Sequence, residues 1–140
     1  MIKEGFFSRL KTKNSIDSLE EFEKELKKLS EKISAEILAL IGTGGRLKGL
    51  PLIYFAKEEE DLKKVSANLV ELLNPLNRVS DNRTFRDITI NFDDDSIFFK
   101  PILKNVGFLA IFYKKDDVVL LKQLIYKNEQ LLKELFHDES

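Results

Sequence analysis

Cysteine is absent from the 140-residue chain, and histidine occurs once, as His137 close to its end. The first absence excludes disulfide frameworks, thiolate metal sites and cysteine nucleophiles. The scarcity of histidine removes histidine-based zinc sites and Ser/His/Asp triads. A chain without cysteine suits a reducing compartment, so a cytoplasmic location is expected. No apolar run reaches the ~18–20 residues that a transmembrane helix needs. Residues 1–14 are interrupted by charges throughout, so no signal-peptide apolar core is expected either. Neither sign of charge dominates: the net charge is −1 with 34% charged residues. That balance implies a well-solvated surface and gives no basic excess for nucleic acid. The length fits one domain that buries about 68–70% of its unfolded surface without a staple.

What the chain does carry is periodicity. Residues 1–14 form a basic leader, with Lys3, Arg9, Lys11 and Lys13 against Glu4. From Ser15 to Ile33, apolar residues at Ile16, Leu19, Phe22, Leu26, Leu29 and Ile33 predict an amphipathic helix, with Ser15 or Ser18 as cap. Ala35–Ile41, except for Glu36, and Phe108–Tyr113 are apolar on both faces and read as central strands. Leu50–Ala56 is a further strand. A second helix opens at the acidic run from Glu58, where negative charge suits the helix dipole. Its expected core stripe is Leu62, Val65, Leu69, Leu72, Leu73 and Leu76, with Ala67 and Val70 off the stripe and Pro75 ending or kinking the last turn. Phe85–Phe92 alternates as a half-covered edge strand, and Asp93–Asp95 is a turn. Ser96–Leu103 is a strand in which Pro101 implies a bulge or an unpaired position. Asp116 or Asp117 caps a closing helix whose apolar face is Leu121, Leu124, Ile125, Leu131, Leu132, Leu135 and Phe136. Short connections imply hairpins and an antiparallel sheet with helices on both sides.

Gly42-Thr43-Gly44-Gly45-Arg46-Leu47-Lys48-Gly49 has the look of a phosphate loop and fails as one. Gly44 and Gly49 have P-loop separation, but Leu50-Pro51 stand where Lys-Ser/Thr is needed. Leu47 stands where a dinucleotide loop requires its third glycine. Both loop types feed a helix whose N-terminal amides bind the anion, whereas here a strand follows. The glycines read instead as a hairpin connection.

The order of elements resembles the roadblock/dynein light chain family, a profilin-like fold related to the longin domain. The resemblance covers residues 15–136. It rests on a strand, a turn ending in Gly49-Leu50-Pro51 and a second strand, then on Lys100-Pro101-Ile102 followed by a turn and the apolar Phe108–Tyr113. One departure is a widened first turn, with Lys48 where the family commonly has Asp. The resemblance implies an α/β (α+β) three-layer sandwich with a central five-stranded antiparallel sheet. It also implies a non-catalytic module that dimerises, with itself or with a paralogous chain, and scaffolds or regulates a small Ras-like GTPase. Such dimers pair their third strands and pack their second helices side by side. Here that would use Phe85, Arg86, Ile88, Ile90 and Phe92 of the edge strand, and Ala67 and Val70 of the second helix. A longin-like trafficking adaptor is the alternative reading, although that fold typically begins with a strand.

The leader places Ile2, Phe6, Phe7 and Leu10 on one helical side, with Arg9, Lys11 and Lys13 nearby. Two readings stay open: an interfacial membrane or partner contact, and an unstructured or self-docked tail. The last four residues, 137–140, are expected to be a flexible end. An enzyme is the competing class. Its candidate cation site, Asp93-Asp94-Asp95, lacks metal-loop spacing, and no nucleophile elbow is present, so no catalytic residue, cofactor or metal is expected.

Overall fold

The computed structural model describes residues 13–136 apart from Asn82 and Thr84. The leader residues Ile2, Phe6, Phe7, Arg9, Leu10 and Lys11, and the last four residues, lie outside that range. The elements follow the expected order: α1 (Lys13–Lys32), β1 (Ala35–Gly42), β2 (Pro51–Ala56), α2 (Glu59–Val79), β3 (Ile88–Asn91), β4 (Ser96–Leu103), β5 (Val106–Phe112) and α3 (Val118–Leu135). The strands form one sheet in the order β2-β1-β5-β4-β3, with every neighbouring pair antiparallel.

Alternation along the strands divides the interior in two. Leu38 and Leu40 of β1, Phe98 of β4 and Phe108, Ala110 and Phe112 of β5 meet Leu19, Phe22 and Leu26 of α1 and Leu121, Ile125 and Leu132 of α3. Ile37, Ala39 and Ile41, Leu109 and Ile111, and Phe99 point to the opposite face and meet Leu62 and Leu69 of α2. The molecule is therefore a three-layer sandwich with two helices on one face and one on the other. Every residue of β5 is buried, as its two-faced apolarity requires. Each fully buried Phe or Leu contributes about 1.5–3 kcal/mol. On the two-helix face Lys127 Nζ donates to Glu25 Oε1 at 2.9 Å, joining α3 to α1. The Glu25 carboxylate raises the Lys127 pKa through that hydrogen bond and its charge.

Several local expectations are corrected. The first helix starts at Lys13, so Ser15 and Ser18 lie inside it and are not its caps. The second helix continues through Pro75 to Val79. Pro75 and Glu71 are both exposed, so water can meet the Glu71 carbonyl that the proline leaves without a donor. Leu72 is 40% exposed, while Val70 is buried. A 3-10 turn, Lys115–Asp117, leads into α3, and Asp117 has helical backbone angles and makes no capping side-chain bond. The edge strand spans only four residues, so Phe85, Arg86 and Asp87 precede it and Phe92 follows it. The Pro101 bulge is present, as a register shift between Pro101 and Leu103.

The glycine-rich segment is a hairpin connection folded around a short 3-10 turn, Gly45–Leu47. The Gly42 N–H donates to the Leu50 carbonyl at 2.8 Å, and the Gly49 N–H donates to the Gly42 carbonyl at 2.9 Å. The chain doubles back so closely that a Cβ on Gly42 would overlap the Leu47 carbonyl group. Gly49 takes φ +78°, which lets Pro51 open the edge strand β2 in the right direction. No α-helix follows this loop directly; the chain continues into β2. Gly42→Ala is expected to lower unfolding stability by about 2–3 kcal/mol, as forced overpacking does, measured by urea denaturation.

Candidate interaction surface

β2 and β3 are the two edges of the sheet. Just after β3 the Phe92 N–H donates to the Asp95 carbonyl at 2.8 Å, towards β4. Backbone groups alternate in direction along a strand, so Ile90 and Ile88 also turn theirs to β4, while Thr89 and Asn91 present theirs to the open edge. Ile88 lies opposite Phe99 and Ile90 opposite Ile97. Phe99 and Ile97 belong to the α2-side core, so Ile88 and Ile90 stand on the α2 face of the sheet, half-buried. Phe92 is 50% exposed. Phe85 packs on the α2-side core, its ring centroid 6.4 Å from that of Phe99. Arg86 is exposed, and its carbonyl accepts from Lys100 Nζ.

The second helix contributes differently from the expectation. Val70 is buried within its own chain. Ala67 is exposed but stands about 140° around the helix from Leu72. The exposed apolar flank is instead Val65, Leu72, Leu76 and Val79, spaced by seven, four and three residues. Val65 and Leu76 are half-buried, while Leu72 and Val79 are 40% and 80% exposed. Asp61 and Val65, at the start of this flank, line a groove with Ile37 of β1, Ile111 of β5 and Asp95 of the turn before β4. Sequence periodicity misplaced Leu72 because the apolar stripe of α2 is wider than the strip that the sheet covers. The excess width was the available signal.

A second groove, of about 690 Å³, opens at the far end of β4. Phe85, Phe99, Pro101 and Leu103 give it an apolar floor, and Arg83, Arg86, Lys100, Lys104 and Lys133 surround them. Glu129 is its one acid and pairs with Lys133 at 3.7 Å. Among the described residues no carboxylate pairs with the other four cations. Sequence reading passed over this groove because its cations come from three separate segments. At the opposite edge the Tyr54 hydroxyl donates to Glu59 Oε1 at 3.2 Å. Burial and the Glu59 charge raise the Tyr54 pKa. Among the described residues, no cluster of acids or histidine could hold a metal ion, and no helix is long and apolar enough to cross a membrane.

No family model and no curated protein matches the sequence. Solved structures do match the fold. MglB of Myxococcus xanthus superposes with a TM-score of 0.66 at 14% identity, covering 84% of this chain and 96% of its own. A roadblock/LC7 domain from Streptomyces avermitilis gives 0.60 at 13% identity, covering 76% and 93%. The fold is that of a roadblock/LC7 domain. A structure described as MglB with a tetrameric arrangement gives 0.68 at 12% identity, covering 92% and 94%. The roadblock fold accounts for the element order and for a helix, not a strand, directly before β1. Within it, β3 is an edge whose α2 side is apolar. Thr89→Pro would remove an N–H that bonds nothing inside the sheet. It is expected to leave the melting temperature nearly unchanged while blocking any strand addition at this edge, read by light scattering.

Proposed function

We propose that this roadblock-fold chain is a non-catalytic interaction module that dimerises, with itself or a paralogous chain, through β3 and the Leu72–Val79 flank of α2. The observation that carries this reading is the free β3 edge. Its outward backbone groups at Thr89 and Asn91 lie beside half-exposed Ile88 and Ile90, on the same face as Leu72. Antiparallel pairing of two such edges is isologous and would join two five-stranded sheets into one. The two α2 helices would then lie side by side on one face, each covering the other's exposed leucine and valine. The tetrameric arrangement named for one similar structure supports self-association on this fold.

The dimer surface would scaffold or regulate a small Ras-like GTPase, the partner class that the roadblock resemblance implies. Any nucleotide would then belong to the partner, in keeping with a glycine loop that leads into a strand. Light scattering is expected to give about twice the 16.2 kDa chain mass at micromolar concentration. Leu72→Glu combined with Ile90→Asp should return the monomer mass. Immobilised wild-type protein should retain a Ras-like GTPase and change its hydrolysis rate, and the double variant should lose both effects. A wild-type monomer would overturn the dimer. A dimer that retains no GTPase would overturn the partner.

The leader adds a peripheral membrane contact to this reading, through Ile2, Phe6, Phe7 and Leu10 with the bases Arg9, Lys11 and Lys13, in an otherwise cytoplasmic protein. Full-length protein should co-sediment with anionic liposomes more than protein lacking residues 1–14. Equal pelleting would end the idea.

A further inference from the structure

We propose that the basic groove at the end of β4 receives the Asp93-Asp94-Asp95 turn of a second copy, so that two acid–base clasps flank the paired β3 strands. This rests on the dimer reading above and names what gives that dimer its register. Strand pairing alone specifies little over four residues, because a short edge can slip.

Residues directly opposite in an antiparallel pair either both point their backbone groups across the gap or both point them away. Thr89 can therefore face Thr89 or Asn91 of the second copy, but not Ile90. With Thr89 on Thr89, Arg86 stands opposite Phe92 and Phe85 opposite Asp93 of the second copy. With Thr89 on Asn91, Arg86 stands opposite Asp94. Either way the acidic turn arrives beside the stretch that enters β3, about 4.8 Å away at strand spacing and within reach of long basic side chains.

The charges there are unmatched within one chain. Arg83, Arg86, Lys100 and Lys104 have no carboxylate partner among the described residues, although neutral contacts steady two of them. Arg83 Nε donates to the Ser80 carbonyl at 3.0 Å, and Lys100 Nζ to the Arg86 carbonyl at 3.3 Å. Asp87 follows Arg86 directly in the chain. It precedes β3, and continuing the ladder one residue beyond the Ile88–Phe99 pair sets it opposite Lys100. On the other side, Asp93 and Asp94 are exposed, and no basic side chain pairs with them among the described residues. A two-fold axis makes the match twice, since each chain supplies one groove and one turn.

Charge exchange tests this directly. Arg83→Glu with Arg86→Glu forms one variant, and Asp93→Lys with Asp94→Lys the other. All four side chains are exposed, and circular dichroism melts would verify that both variants fold. Each variant alone places like charges at both clasps and should dimerise about a hundredfold more weakly in sedimentation equilibrium, roughly tenfold per clasp. An equimolar mixture should recover near wild-type affinity, because a mixed pair has opposite charges at both clasps. Unchanged self-association of both variants, or no recovery on mixing, overturns the clasp while leaving the dimer intact. A wild-type chain that is monomeric, like the Leu72→Glu/Ile90→Asp variant, overturns both.

Discussion

β1 and β5 pair over seven positions, from Ala35 with Phe112 to Gly42 with Val106, although about seventy residues separate them in the chain. The rest of the structure depends on that ladder. The β1–β2 hairpin and the β3–β4–β5 meander are each local, and neither alone covers the apolar faces of the two strands it would leave at the join. Joining them makes β5 the middle strand and gives both helical layers something to cover. Two helices seal the Phe108–Phe112 side, and one helix seals the Leu109–Ile111 side.

One helix on a five-stranded face is a short covering. α2 lies nearest β2 and packs on β1 and β5, so Ile88 and Ile90 at the other margin remain half-covered, and Leu72 and Val79 on its flank stay exposed. The incompleteness is confined to one side. On the two-helix face the Lys127–Glu25 bridge and buried Phe136 close the seam between α1 and α3. A fold with one finished and one unfinished face has a direction in which association is favourable, and here that direction coincides with an open backbone edge.

Much of this was legible in the residues. AEILALI, apart from Glu36, and FLAIFY are apolar on both faces of a two-residue period, which suits a strand covered on both sides, and both are interior strands. The reading of the glycine loop as a connection between two strands was legible too, and the segment is a hairpin connection. What was not legible depends on how far neighbouring elements reach. Phe85–Phe92 reads as one strand of eight residues, but β4 offers partners to only four. Val70 and Leu72 exchanged roles because a stripe of leucines on α2 does not reveal where the sheet beneath it stops. The burial of Asn128, whose Nδ2 donates to the Leu124 carbonyl, likewise depends on the position of α3 and not on its composition.

The far edge is built to a different standard. From Pro51 to Ala56 the strand β2 carries no charged side chain, and its defences are the proline at its start and the bulge between Leu40 and Ile41 beside it. Prolines, bulges and charges are what normally stop sheet edges from adhering to one another. Here the tight hairpin at Gly42 and Gly49 holds Pro51 in place as the guard of an otherwise adhesive strand. Loosening that hairpin would do more than lower stability. It would expose a six-residue apolar template, and the damaged population would be lost to aggregation before it was lost to unfolding.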